Sequence, residues 1–368
     1  MKKIITILFL LLLLIPIANS QSEDILSSAR KEVIANYLTQ PENKLQLNEF
    51  RILLHLNYGE TEIKNLNAVN HLSLGKIKRI NLYYSAYPKG GNFDNLNHKR
   101  ISNLLKNVGD LVYDSIQWRL VRQTDCSNDI EAQKLFHGFE IILEFSEDIN
   151  LTAVQIDSTF KDFVVEKVLN RNDWNEMLIV TDMTGSMGPY VSQLFLWLKL
   201  NTIDDKIKQF VFFNDGDTRL DENKVIGQTD GIYQTKSKVY EEVEKIAIQC
   251  MLSGSGGDLE ENDIEAVLRG LKLCPDCKEN IMIVDNNSPV RDLELIKNIN
   301  HPIRIIICGS SGKINSEYLN LARRTNGSIH LMEQDLYELI KLNEGETLEL
   351  NGTSYKIEKN KFVEIKKI

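Results

Sequence analysis

The 368-residue chain has no cluster of basic residues interleaved with aromatics, which argues against a nucleic-acid-binding surface. Its six histidines (His55, His71, His98, His137, His301 and His330) never cluster at metal-ligand spacing. His137, between Phe136 and Gly138, reads as a packed or surface residue rather than a ligand. The five cysteines, Cys126, Cys250, Cys274, Cys277 and Cys308, are an odd number, which excludes a fully paired disulfide framework. Cys274-Pro275-Asp276-Cys277 has redox or zinc spacing but no second pair and no neighbouring histidine. It also ends a helical pattern and precedes a strand, the reverse of a redox motif's setting, so it reads as structural. Cys308, in the run Ile305-Ile306-Ile307-Cys308, reads as a core residue. Beyond residue 20 an acidic or basic residue interrupts every apolar run, so no later membrane span is expected. There is no long repeat and no low-complexity linker.

The N-terminus is built differently. Lys2 and Lys3 precede an apolar run, Ile4 to Ile17, that includes five consecutive leucines, and Ala18-Asn19-Ser20 offers small residues at cleavage positions. That is the pattern of a secretory signal over residues 1–20. As a helix the run would span about 21 Å, short of the ~30 Å hydrocarbon core, which argues against a retained anchor. The expected product is exported, either secreted or in the periplasm or cell envelope. Its 348 residues suggest about two domains, each able to bury a core without disulfide staples. The net charge is −9 for the whole chain, and loss of the two signal lysines takes it to −11. This acidity reads as solubility.

Residues 21–172 mix patterns, with a strand expected over Ile77–Tyr84, a helix over Lys99–Leu111, a strand over Phe139–Phe145, and an amphipathic helix over Ser158–Leu169. Asn65–Leu74 reads as loop. This is an α+β unit with no recognisable chemistry. Residues 173–345 alternate strands and helices. Strands are expected at Met177–Thr181, Gln209–Phe213, Ile281–Val284, Ile303–Cys308 and Ser328–Met332, with Ile232–Thr235 pairing beside the second. Helices are expected at Tyr190–Leu200, Lys238–Met251, Glu261–Leu273, Asp292–Ile299, Ser316–Thr325 and Asp335–Leu342. Such alternation with apolar strands predicts an α/β, doubly wound, mostly parallel sheet covered on both faces. Residues 346–368 read as short β segments around an Asn351-Gly352 hairpin turn, packed on the second domain.

Hard oxygen donors collect where such a sheet binds ligands, beyond the carboxyl ends of its strands. Asp182, Thr184 and Ser186 follow the first strand in a turn that Gly185 and Gly188 permit, with Pro189 opening the next helix. Asp285 ends the Ile281–Val284 strand. Neighbouring strand ends lie ~4.8 Å apart, so Asp182 and Asp285 can share a site. A third loop, Ser253-Gly254-Ser255-Gly256-Gly257-Asp258, leads into a helix. This donor set suits Mg²⁺, Mn²⁺ or Ca²⁺ rather than zinc or copper.

The segment LIVTDMTGSM resembles the first part of the metal-ion-dependent adhesion site of von Willebrand factor A domains, an Asp-x-Ser-x-Ser pattern after a strand. Over residues 173–342 the resemblance implies direct metal ligation by Thr184 and Ser186, with Asp182 and Asp285 acting mainly through water. The family's Gly-Gly-Thr segment is here Gly256-Gly257-Asp258, which is similar to some bacterial members. Asp258 as a direct ligand would add negative charge, tightening cation binding and weakening capture of an acidic partner; Ser255 is the alternative third ligand. The function implied is non-enzymatic protein binding through the cation or its loops. Two readings stand beside it. Asp-Met-Thr-Gly-Ser also resembles the loop of phosphoaspartate-forming, Mg²⁺-dependent phosphatases, with Asp182 as nucleophile, although no positioned lysine stands out. Alternatively the turn is a capped strand–helix junction that binds no metal. An aspartic protease is excluded, because Met183 breaks Asp-Thr-Gly and no second copy exists. Asn214-Asp215-Gly216-Asp217 with Asp221 begins like a calcium loop, but Leu220 and Ile226 stand where glycine and glutamate are required. It reads as a solvated turn.

Overall fold

The computed structural model describes residues 18–29, 32–36, 41, 45–108, 115–145, 149, 151, 160–201, 206–254 and 259–365. The apolar run of residues 1–17 and the Ser255–Asp258 loop lie outside the described residues. Two compact units divide the chain, one comprising Met1–Ser146 with Thr218–Leu220, the other Glu147–Asp217 with Asp221–Ile368.

The first unit holds β1 (Val33–Ala35), β2 (Glu49–His55), β3 (Lys76–Ser85), β4 (Gln117–Gln123) and β5 (Gly138–Glu144), in the order β1-β4-β3-β5-β2. β1 and β3 run parallel to β4, whereas β5 runs antiparallel to β3 and β2. The helices are α1 (18–28), α2 (Phe93–Val108) and α3 (Asp129–Gln133). Helix α2 turns Ile101, Leu104 and Leu105 inward. The stretch read as loop, Leu66–Leu74, forms a 3-10 helix with one buried residue, Ala68.

The second unit is α/β. Its sheet contains β6 (Met177–Asp182), β7 (Ile207–Phe213), β8 (Ile232–Thr235), β9 (Glu279–Asp285), β10 (Arg304–Cys308), β11 (Ser328–His330) and β12 (Asp335–Leu336). The order is β12-β11-β10-β9-β6-β7-β8, with the five inner strands parallel and the two outermost antiparallel. Every residue of β6 is buried, as an inner strand covered on both faces requires. Flanking helices are α4 (Val164–Arg171), α5 (Gly188–Leu200), α6 (Tyr240–Ser253), α7 (Asp263–Leu273) and α8 (Ser316–Arg324).

The break falls after residue 146 rather than at 172. Helix α4 begins six residues later than its pattern suggested and buries Val164, Val165, Val168 and Leu169 within the second unit. Trp197 of α5 donates to Asn170 Oδ1 at 2.9 Å. The tail forms a three-stranded antiparallel sheet, β13 (Thr347–Leu350), β14 (Thr353–Glu358) and β15 (Lys361–Glu364). It shares the unit's core through Leu350, Tyr355, Ile357 and Phe362. The Tyr355 hydroxyl accepts from the Ile314 amide at 2.7 Å and donates to its carbonyl at 2.8 Å. Two expected helices are replaced. Leu293–Asn298 is a 3-10 helix, and Asp335 enters an edge strand instead of opening a helix, because His330 and Arg171 hold its carboxylate.

Candidate functional site

Strand β6 pairs with β7 on one side and β9 on the other. The chain order therefore reverses between β6 and β9, and a doubly wound sheet opens its ligand crevice at that point. Asp182 closes β6 and Asp285 closes β9. Both use the same local device. Asp182 Oδ1 accepts from the Thr184 amide at 2.7 Å, and Asp285 Oδ1 from the Asn287 amide at 2.9 Å and the Asn287 side chain at 3.1 Å. Each side chain thus fixes its own turn two residues on. After Asp182 the chain passes through a 3-10 turn, Gly185–Met187, into α5 with Pro189 in its first turn.

The predicted donors fall in three groups. Asp182, Thr184 and Asp285 gather at the strand ends, with the two aspartates 1 % and 7 % exposed. Burial pushes the Asp182 carboxyl up to about 7; the Thr184 amide opposes this, and the charges of Asp285 and Asp215 reinforce it. The Thr184 hydroxyl also favours the charged form, but its Oγ1 is buried and makes no hydrogen bond of proper geometry. Ser186 lies on the same turn with its residue exposed. Asp258 lies outside the described residues.

Sequence reasoning missed a second ring of charge. The Asn214–Asp217 stretch is not a solvated turn, since Asn214, Asp215 and Asp217 are each at most 4 % exposed. Asn214 Nδ2 donates to Asp217 Oδ1 at 3.0 Å and to the Cys250 carbonyl at 2.7 Å, while Tyr233 OH reaches Asp217 Oδ1 at 2.9 Å. Asp215 is clamped between Lys224 Nζ at 2.5 Å and Arg291 Nη1 at 2.7 Å. Such pairing is what lets a carboxylate stay buried.

Glu261 and Asp263 lack comparable compensation. Burial, then the charges of Asp182, Asp215 and Asp263, push Glu261 up to about 10, with Arg291 pulling back. Its Oε2 has no hydrogen-bond partner, nor does Asp263 Oδ1. Asp263 also titrates well above the usual carboxylate range, through burial and the charges of Asp292 and Asp182. Glu261 is fixed by its backbone, which receives from and donates to the loop after β9: its amide reaches the Pro289 carbonyl at 2.9 Å, and the Arg291 amide reaches its carbonyl at 2.8 Å. Asp162 approaches from the β10 side, accepting from Tyr190 OH at 2.9 Å and the Gly309 amide at 3.1 Å.

Among the described residues, acidic groups thus outnumber the two cations, Lys224 and Arg291, that pair within the cluster. A divalent cation fits this donor set: the oxygens are hard, the carboxyls are held above their ordinary range by burial and by one another, which a cation would relieve, and among the described residues Thr184 Oγ1 and Glu261 Oε2 are buried oxygens without partners. Among the described residues no three His, Cys, Asp or Glu side chains converge closely enough to form a cage alone. Hydroxyls and water would therefore complete the shell.

A different constellation needs separating from this one. Ser328 Oγ lies 2.7 Å from His330 Nε2, and His330 Nδ1 lies 2.7 Å from Asp335 Oδ1. That is the hydrogen-bond order of a hydrolase triad. Yet Ser328 and His330 are both 0 % exposed, Trp174 packs edge-on against the imidazole, and Arg304 Nη1 donates to Ser328 Oγ at 3.3 Å. Arg171 grips Asp335 and the Leu331, Met332 and Gln334 carbonyls. With the nucleophile sealed off, the cluster serves to hold β11 and β12 together.

Among the described residues no helix is long and apolar enough to cross a membrane. Cys274 and Cys277 form a disulfide between the end of α7 and the start of β9, while Cys126, Cys250 and Cys308 are free. Compared with protein-family models, curated proteins and solved structures, the chain matches none.

Proposed function

We propose that the second unit is a von Willebrand factor A-like module of an exported protein, holding Mg²⁺, Mn²⁺ or Ca²⁺ and engaging a protein partner through the cation or its surrounding loops. The observation that carries the reading is the placement of Asp182 and Asp285 at adjacent strand ends where the strand order reverses, beside the partnerless Thr184 Oγ1. Thr184 and Ser186 would hold the ion directly, with Asp182 and Asp285 behind water. The ion would neutralise the carboxylates and offer an open position to an acidic side chain. Export is supported by the pattern of residues 1–20 and by the Cys274–Cys277 disulfide, a feature of oxidising compartments.

Calorimetric titration of each cation into the full chain and into an Asp182→Asn/Asp285→Asn variant tests the proposal. Saturable binding that the variant loses is the expected result. A folded wild-type protein that binds none of the three ions overturns it. Turnover of a generic phosphate monoester with Mg²⁺, lost on Asp182→Asn, would instead favour the phosphoaspartate reading.

A further inference from the structure

The first unit contains a cavity of about 220 Å³ against the N-terminal half of α2. Its walls include the aromatic side chains of Tyr58, Tyr84, Tyr87 and Phe93, and Arg100 and His137 also line it. Arg100 is 0 % exposed. Its Nε donates to the Glu60 carbonyl at 2.8 Å and its Nη2 to the Asn57 carbonyl at 3.3 Å, but Nη1 has no partner. Burial accounts for its lowered pKa of about 10, and no carboxylate among the described residues contributes. His137 lies beside it. The His137 Nε2 stands 2.9 Å from the Ala132 carbonyl, so Nε2 carries the proton and Nδ1 is an acceptor, again without a partner. Burial and the Arg100 charge keep this imidazole neutral.

A buried guanidinium without an anion is costly, and two backbone carbonyls satisfy its donors without neutralising its charge. A carboxylate is the matching ligand, because its two oxygens accept the planar guanidinium fork. Aromatic walls in turn suit a flat, apolar body.

We propose that this cavity binds a small aromatic carboxylic acid, its carboxylate against Arg100 and its ring among Tyr58, Tyr84, Tyr87 and Phe93. His137 Nδ1 accepts a hydrogen bond from any hydroxyl or amide that such a ligand carries. Inorganic phosphate fits less well, since it asks for donors on every side and the aromatic walls supply few. Tyr58 OH is already engaged with Asp129 and the Tyr87 carbonyl.

The test is calorimetric titration of the full chain with benzoate, benzamide and inorganic phosphate. Benzoate should bind at one site with a dissociation constant at or below about 1 mM, and benzamide at least about tenfold more weakly. Arg100→Lys should cost at least about tenfold, because an ammonium lacks the planar fork. Leu96 lines the same cavity and is half-buried. Leu96→Trp fills the space and should abolish binding with Arg100 intact. Should either variant fold poorly, the ¹⁵N resonance of the Arg100 Nε–H in the wild-type protein should still shift on saturation with benzoate. Absence of benzoate binding to the folded wild-type chain overturns the proposal. So does equal affinity for benzamide, tighter binding of phosphate, or saturation with no change at Arg100.

Discussion

His330 makes the stability of the second unit sensitive to acid, and a single substitution isolates the effect. Burial holds its imidazole at about 4, aided by Arg304 and Arg171 and opposed by Asp335, against 6.5 for the unperturbed group. Between these values an unfolded chain takes up a proton that the folded chain refuses. Stability therefore falls as pH drops through 6.5, and the loss is complete near pH 4. At pH 5 the histidine lies about 1.5 units below its unfolded value, a loss of about 2 kcal/mol at about 1.4 kcal/mol per unit. The raised carboxyls of Asp182, Glu261 and Asp292 act oppositely, because the folded state then binds the extra proton. They are common to wild type and variant and so cancel in a comparison. His330→Gln removes the titration while keeping an amide able to reach Asp335. Urea unfolding at pH 7 and pH 5 can be followed by the fluorescence of Trp174, whose ring centroid lies 4.8 Å from that of His330. The variant should lose about 2 kcal/mol less than the wild type between the two pH values. Equal losses would refute the assignment of a buried, neutral imidazole.

Gly231→Ala should destabilise the second unit by about 2–4 kcal/mol in urea titrations, since overpacking adds to the strain of a left-handed residue. Gly231 has φ +69°, and a Cβ there would meet Asn214 Oδ1 at 2.0 Å and the Gly216 amide nitrogen at 2.7 Å. A variant as stable as the wild type would show that the Asn214–Asp217 loop has slack. Reduction of the Cys274–Cys277 disulfide should cost only about 2 kcal/mol, the chain-entropy value for so short a loop. A shift in the unfolding midpoint equivalent to twice that would mean the bond restrains more than its own turn.

The second unit's sheet was legible because its strands are continuous apolar runs of strand length, and Asp182 and Asp285 were legible because each ends one. The side-chain partners were not. Asp215 meets Lys224 nine residues on and Arg291 far along the chain, and only the crossovers of the sheet bring those together. Asn214-Asp215-Gly216-Asp217 has the composition of an exposed turn, yet its polar groups satisfy one another and Tyr233 in the interior. Asp335 shows the opposite failure. Its local pattern suits a helix start, but the pull of His330 and Arg171 overrides that preference. Arg100 falls between Leu96 and Leu104 on the apolar stripe of α2, but a charged residue in such a stripe ordinarily reaches back to solvent, so its complete burial could not be read from the pattern.

The margins of the seven-stranded sheet also limit how this molecule can be approached. β8 has four residues and β12 only two, and both run against the direction of the strands they flank. Short, reversed selvedges of this kind leave little open ladder for an incoming strand, and they guard against edge-to-edge aggregation. Recognition by strand addition is correspondingly disfavoured. The partner proposed for this unit would then be met at the end of the sheet where Asp182 and Asp285 lie, by side chains and loops rather than by shared backbone.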